Sequence, residues 1–396
     1  MVQVAHPRKG KRKCTKSRVL ARLLTVLAIA TVAVNFLAIS PAENASSSFF
    51  REVLLQNKNA SLLTITKLPD GSYDISFPKL SVEEGRRHIL GLFQEAGVPL
   101  TPQMEASLPT WAQVQEVMGP HPYIIGLENC EAFRRQVPPL ERMLGSAGMF
   151  NSGTNLVTHL LKQNCEIPER RAKVGPHQAK ESYGMRWQVP WGKHTPAKFR
   201  DEHSTQKAMQ INKDFILPIV TLRNPYTWLR STCKNPYTAS WPHRRNDPGD
   251  CPALKDRNTG DWNGVTVRYG AGEDHHKSVA HLWNDWYSYY IREATFPWIA
   301  IRMEDLVFYP KETIHTVCEC AGGKIRTDQD FVYIVDSAKA DSPGHDTTTG
   351  IYAAWIKYSK PPSPKFGFSE DEYQATMEAL DAELMESFGY KHPPAE

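Results

Sequence analysis

Asn151-Ser152-Gly153-Thr154-Asn155 is where this 396-residue chain carries its plainest capacity for chemistry. An apolar run precedes it (Met143, Leu144, Ala147, Met149, Phe150), and Leu156, Val157, Leu160 and Leu161 follow at helical spacing. The pattern predicts a buried strand, a glycine-rich turn and a helix. Such a turn aims several backbone N–H groups, together with the positive end of the helix dipole, at one point, which suits a phosphate. Gly148 and Gly153 keep the G-x-x-x-x-G spacing of a nucleotide-binding loop. Thr154-Asn155, however, stands where that loop places Lys and then Ser or Thr, so the cradle is not one built for Mg-ATP.

Two further groups of residues bear on the same chemistry. The strand-like run 215–222 ends in Arg223-Asn224-Pro225, and Ser231 lies eight residues beyond the arginine. With 226–232 helical, an Arg fork and a hydroxyl make a clamp for a second phosphate. Between the two motifs lies Val189-Pro190-Trp191-Gly192-Lys193-His194. Histidine serves as a base near neutral pH, and a transferring anionic group needs a cation beside it. The plainer alternative makes His194 a turn residue hydrogen-bonded to backbone. His177 and Glu181 are rival bases, and His159 on the helix reads as structural.

These residues resemble the sulfotransferase family that uses 3′-phosphoadenosine 5′-phosphosulfate (PAPS). Its Ser-Gly-Thr motif holds the 5′-phosphosulfate. Its Arg-Asn-Pro motif, with a serine eight residues on, holds the 3′-phosphate. Ile301-Arg302-Met303-Glu304-Asp305-Leu306, followed by Pro310, resembles the family's later Glu-Asp-Leu strand end. Lys193-His194 is similar to the Lys-Thr-His-Leu-Pro segment of cytosolic members, with the order altered. The resemblance runs from about Ala132 to Tyr390. It implies PAPS contacts from Asn151, Ser152, Gly153, Thr154, Asn155, Arg223 and Ser231, with His194 and Lys193 catalytic and no metal. It further implies transfer of a sulfuryl group to a hydroxyl or amine of an acceptor, carbohydrate ahead of protein tyrosine or small molecules. One departure is Asn151, where the family usually has lysine; Lys193 is then the substitute cation. A P-loop kinase or NTPase, and a non-catalytic PAPS-binding Golgi protein, are the alternatives.

The elements needed to position these residues predict a three-layer α/β/α fold with a mainly parallel, P-loop-like sheet and the ligand at the carboxyl ends of its strands. Net charge is +4, but residues 1–22 hold eight Lys or Arg and no acid, leaving 39 basic against 43 acidic residues elsewhere. That distribution argues against nucleic acid as a partner. Leu23–Ile39 is a 17-residue apolar run broken only by Thr25, Thr31 and Asn35, at the lower limit for a membrane span. The expected order is a cytosolic basic tail (1–18), a transmembrane signal anchor (19–40), a lumenal stem (41–80), an accessory helical region (81–140) and a sulfotransferase domain (141–396). This is a single-pass type II arrangement in the Golgi membrane. A signal peptide cleaved near Ser40 competes with the anchor. Sequons at Asn44 and Asn59 fall on the lumenal side.

Six of the seven cysteines follow the anchor; Cys233–Cys251 is the favoured bridge, with buried free thiols the alternative. Ser81-Val82-Glu83-Glu84 reads as a capping box opening a helix that Gly97 closes, and Thr110 opens another that stops at Gly119. Residues 236–276 read as an insert over the acceptor site. Trp283, Trp286 and Tyr290 read as the core face of a helix. Glu304 reads as a helix cap or ion-pair partner, Ser369 as the cap of a last helix running to Gly389, and 341–345 as part of a loop.

Overall fold

The computed structural model describes residues 64–67 and 73–76 by their backbone, and 80–205, 210–243, 251–336, 350–360 and 367–393 in full. The basic tail, the anchor, Asn44, Asn59 and the 341–345 loop lie outside the described residues. No helix among the described residues is long and apolar enough to cross a membrane.

The chain divides into two compact units, Met1–Pro78 and Lys79–Glu396. In the first, β1 (Thr64–Lys67) pairs antiparallel with β2 (Tyr73–Ser76) in the register Thr64↔Ser76. This hairpin lies within the stretch expected to be a stem. Ile65 and Ile75 alternate with polar residues on either side of a Pro-Asp-Gly sequence, which is a hairpin signal.

The second unit opens with three helices: α1 (Val82–Glu95), α2 (Pro102–Ser107) and α3 (Trp111–Met118). The Ser81/Glu84 and Thr110/Gln113 capping boxes start α1 and α3. There follow β3 (Ile124–Ile125), α4 (Asn129–Gln136), β4 (Met143–Gly148), α5 (Thr154–Asn164), β5 (Cys165–Glu166), α6 (Pro168–Val174) and β6 (Met185–Arg186). After β7 (Ile216–Leu222) and α7 (Pro225–Lys234) comes a small antiparallel sheet of β8 (Ala239–Ser240), β9 (Val265–Tyr269) and β10 (Gly272–His276). The chain continues through α8 (Val279–Ile291), β11 (Ile299–Arg302), α9 (Asp305–Phe308), α10 (Pro310–Cys320) and β12 (Lys324–Ile325). Last come α11 (Ile351–Tyr358), α12 (Glu370–Ala379) and α13 (Ala382–Ser387).

The central sheet has the order β3-β11-β7-β4-β6, parallel throughout except at β3. Side chains alternate across it as a strand dictates. Met143, Ala147, Ile216, Val220 and Ala300 pack with α7, α8 and α12, whereas Leu144, Leu217, Ile219, Ile299 and Ile301 pack with α4, α5 and α10. Helices therefore cover both faces of a buried, mainly parallel sheet.

Three corrections follow. The region 81–140 is not a separate cap: β3 is an edge strand of the sheet, and α1 and α3 share a core with Phe308 and Trp355. Its boundary was invisible locally because β3 pairs with a strand far along the chain. The last helix is two helices, because Asp381 accepts from Leu384 N–H and starts α13. Cys130–Cys320 and Cys165–Cys318 join the favoured Cys233–Cys251 as bridges, which replaces the free-thiol alternative.

A buried ion pair ties α3 and β3 to the sheet. Arg302 Nε and Nη2 each donate to Asp305 at 2.8 Å, Nη2 reaches Met118 O at 2.7 Å, and Tyr123 N donates to Asp305 at 2.9 Å. Asp305→Ala would leave the arginine buried and unpaired, with an expected loss of about 3–5 kcal/mol in urea unfolding. Replacing both partners by apolar residues should cost less than the single change; an equal or larger loss would show that the pair itself is not what that single change breaks.

Candidate functional site

The loop 149–153 leaves the carboxyl end of β4 and enters α5, as the sequence predicts. Its backbone is fixed by glycine. Gly153 has φ +90°, and a Cβ there would lie 2.5 Å from Met303 Cγ; at Gly148 one would meet Ser152 Oγ at 2.7 Å. Ser152 is fully buried and its hydroxyl donates to Met149 O at 2.8 Å, so that side chain closes the turn. Thr154 is buried at the first position of α5, which has no side-chain cap. The first N–H groups of the helix therefore have no intrahelical partner and point at the loop's concave side.

Asn151 has φ +62°, in the left-handed region that asparagine tolerates better than most side chains. Its amide donates to Asn235 O at 3.0 Å and to Thr232 Oγ1 at 3.4 Å. Its carbonyl accepts from Arg223 Nη1 at 2.7 Å, while Phe150 O accepts from Trp228 Nε1 at 2.7 Å. Helix α7 thus grips the loop along its length. Arg223 is 5% exposed and also donates to Thr227 Oγ1 and Tyr358 Oη, both at 3.2 Å. Ser231 stands half-buried on α7, and no hydrogen bond joins it to Arg223; at 1.5 Å per residue it lies about 9 Å along the helix from Pro225. Its neighbour Thr232 is the residue that meets the loop.

The Lys193-His194 segment is laced to the same strand end. Gly148 N donates to Lys193 O at 2.7 Å, and Gly148 O lies 2.7 Å from His194 Nδ1. A carbonyl only accepts, so Nδ1 carries the hydrogen and the neutral ring keeps its basic lone pair on Nε2. His194 is therefore the backbone-bonded histidine of the plainer reading, with its Nδ1 taken by Gly148 O. Lys193 Nζ donates to Asn155 Oδ1 at 2.5 Å, in the first turn of α5, and lies 4.1 Å from the Trp187 ring centre.

The rivals sit elsewhere. Glu181 is ion-paired with Lys162; burial, the largest single effect, raises its pKa, but the Lys162 bond, a backbone hydrogen bond and the charges of Lys162 and Arg186 together bring it below the usual carboxylate value. His177 is exposed. His159 packs edge-on against Trp187 at 5.7 Å; burial, then Lys162 and Lys193, lower its pKa. Glu304 makes neither a cap bond nor an ion pair: it accepts from Asn224 N at 3.2 Å and Tyr390 Oη at 3.0 Å, holding the Arg-Asn-Pro turn. Glu304 does stand at the N-cap position of α9, but its side chain acts as the orienting carboxylate that the sequence offers as the alternative to a cap or ion pair. The adjacent Arg302–Asp305 pair takes the charges that Glu304 was expected to share.

Sequence reasoning missed Tyr358, which reaches the site from a distant segment, and Trp228 and Tyr237, which lie on α7 and just beyond it. It found the buried face of α8 but not its polar work. Trp283 Nε1 donates to Arg223 O at 3.3 Å, Trp286 Nε1 to His194 O at 3.0 Å and Tyr287 Oη to Thr221 O at 3.0 Å. The available signal was that buried Trp and Tyr need partners for their N–H and O–H groups.

Among the described residues no group of three or more His, Cys, Asp or Glu is placed to hold a metal ion. The chain matches no known protein family, no curated protein and no solved structure.

Asn151→Lys would lose the bond to Asn235 O and put a long side chain in the left-handed region, for an expected loss of about 2 kcal/mol. Asn151→Gly keeps the backbone conformation and should cost about half as much. Urea unfolding of both variants checks the order; a lysine variant as stable as the parent would overturn the account of Asn151.

Proposed function

We propose that this chain is a PAPS-dependent sulfotransferase that moves a sulfuryl group to a hydroxyl, or amine, of a carbohydrate acceptor. The observation that carries the reading is the meeting of Lys193 with Asn155 at the uncapped start of α5, while His194 is fastened beside it to Gly148. An anion cradle, a cation and an oriented base occupy one strand end.

The residues fit PAPS as co-substrate. Gly153, Thr154 and Asn155 offer backbone N–H groups to the 5′-phosphosulfate, and Arg223 with the Ser231–Thr232 stretch of α7 takes the 3′-phosphate. His194 Nε2 accepts the proton of the acceptor hydroxyl as its oxygen bonds to sulfur. Lys193 and the N–H groups of α5 receive the charge left on the phosphate oxygen when its bond to sulfur breaks. Lys193 fills the part that lysine at position 151 plays in the family. Asn151 instead holds the loop to α7.

Kinetics and calorimetry test this division of labour. Arg223→Ala should weaken 3′,5′-ADP binding by ~30-fold or more, for a loss of ~2–5 kcal/mol. His194→Ala should lower turnover by a factor on the order of 10²–10⁴ with nucleotide affinity nearly unchanged. Lys193→Ala should weaken the sulfated donor more than its desulfated product. Normal turnover by His194→Ala would remove the base assignment, and unchanged 3′,5′-ADP affinity in Arg223→Ala the 3′-phosphate assignment.

The same reading includes a single-pass type II anchor in the Golgi membrane with residues 41–396 lumenal. The three bridges, all among the six cysteines beyond the apolar run, support an oxidising compartment. In sealed microsomes a C-terminal tag should be protected from protease, and Asn44 or Asn59 should carry glycan. A protease-accessible tag would sink the assignment.

A further inference from the structure

Lys193 and His194 are consecutive in the chain, and each packs against an aromatic surface. The Lys193 ammonium lies 4.1 Å from the Trp187 ring centre. His194 packs on Phe150 at 4.4 Å between ring centres, and Phe150 in turn stacks on Tyr237 at 5.2 Å and 13°. Trp187 is 37% exposed and Tyr237 44%. Among the residues whose side chains are described, Tyr123 is the one other exposed Phe, Trp or Tyr. One exposed aromatic ring is ordinary on a protein surface; two on the flanks of one dipeptide call for a ligand.

Tyr237 has φ +53°, a region that a bulky side chain enters only when its surroundings enforce it, and such residues gather at ligand clamps. The enforcing frame is visible: Tyr237 sits between α7 and β8, braced by Cys233–Cys251. Around Trp187 the charge is positive. Lys162 lies 5.4 Å from its ring centre in addition to Lys193, and Arg186 precedes it in the chain, against one carboxylate, Glu181, that is already paired with Lys162.

We propose that Trp187 and Tyr237 are acceptor-contacting residues and that the acceptor is an anionic oligosaccharide, one sugar unit stacked on each ring and the reacting hydroxyl presented to His194 between them. Sugar rings offer an apolar face to an aromatic ring and polar edges to water, which matches half-exposed Trp and Tyr. A simple alcohol or monosaccharide cannot engage both platforms. The surplus of positive charge near Trp187, with Lys162, Lys193 and Arg186 set against Glu181, suits a carboxylated unit at that end. The assignment of the hydroxyl to His194 rests on the sulfotransferase reading; the saccharide contacts themselves do not.

The test is equilibrium binding by the full chain, so that it does not depend on turnover. The probes are uronic-acid-containing tetrasaccharides, neutral tetrasaccharides, the matching monosaccharides and a tyrosine peptide, with 3′,5′-ADP affinity measured on the same samples. Uronate tetrasaccharides should bind best, and Trp187→Ala and Tyr237→Ala should each weaken that binding about tenfold. Tyr237→Phe should restore it, and 3′,5′-ADP affinity should change by less than about twofold. If Trp187→Ala fails to fold, the Tyr237 pair decides. Unchanged saccharide affinity in the alanine variants, preference for the neutral chain or the peptide, or no saccharide binding by the parent would each overturn the proposal. Retained 3′,5′-ADP binding in those cases leaves the sulfotransferase reading standing. Absent 3′,5′-ADP binding removes that reading, while weakened saccharide binding in the variants still supports the two contacts.

Discussion

Backbone carbonyls at the carboxyl end of a parallel sheet have no further strand to bond to, and a buried one left unpaired costs about 1–3 kcal/mol. Here three of them, on Thr221, Arg223 and His194, take their donors from a single helix, α8, through Tyr287, Trp283 and Trp286. Those carbonyls belong to the end of β7, the arginine that follows it, and the Lys193-His194 segment. One rigid element therefore sets the separation between the groups assigned to the phosphate and the group assigned to the proton. α8 is itself fixed: Ser278 caps its start, and Arg292 just beyond its end pairs with Asp381. The aromatic face that fills the core and the donors that order the site are the same side chains.

The loop after β4 depends on this frame from the other side. Its carbonyls at Phe150 and Asn151 are taken by Trp228 and Arg223, and its amide side chain by the far end of α7. A lysine at 151 could supply charge but not that tether. On the proposed reading the cation comes instead from Lys193, whose backbone carbonyl is bonded to Gly148 N. Charge and tether, which one lysine cannot combine in a left-handed position, are thus divided between two residues. The acidic balance of the chain beyond its first 22 residues makes such local placement necessary.

How much of this was legible in the sequence follows from the range of the interactions. The strand–turn–helix at 143–164, the Arg-Asn-Pro turn and the boxes at Ser81 and Thr110 are written in residues a few positions apart, and they formed as expected. Cys233–Cys251 was accessible because only 18 positions separate its partners, whereas Cys130–Cys320 spans 190. The stretch 123–127 reads as strand-like, and β3 forms within it, but its place at the sheet edge depends on β11 far along the chain. Tyr358 and Tyr390 reach Arg223 and Glu304 from the chain's far end. For Glu304 the residue was visible and its partners were not, so a local role was assigned to a side chain with distant ones.

Strand order explains how Lys193-His194 comes to lie beside the loop after β4. From β4 the chain goes to β6 on one side of it, and later strands β7 and β11 lie on the other. The connections after β4 and β7 leave toward opposite sides of the sheet, and such a reversal is where open α/β sheets take ligands. After β6 the chain runs on beside β4 in the same direction, with Val189 N bonded to Ser146 O and Gly148 N to Lys193 O. It thus adds backbone pairing to β4 and carries lysine and histidine to the loop after β4. A shift in that pairing would move both side chains together, so their spacing relative to the loop is set by backbone register and not by the side chains themselves. That is a tighter constraint than a flexible loop imposes, and on the proposed reading it lets a base and a cation on adjacent residues serve one reacting centre.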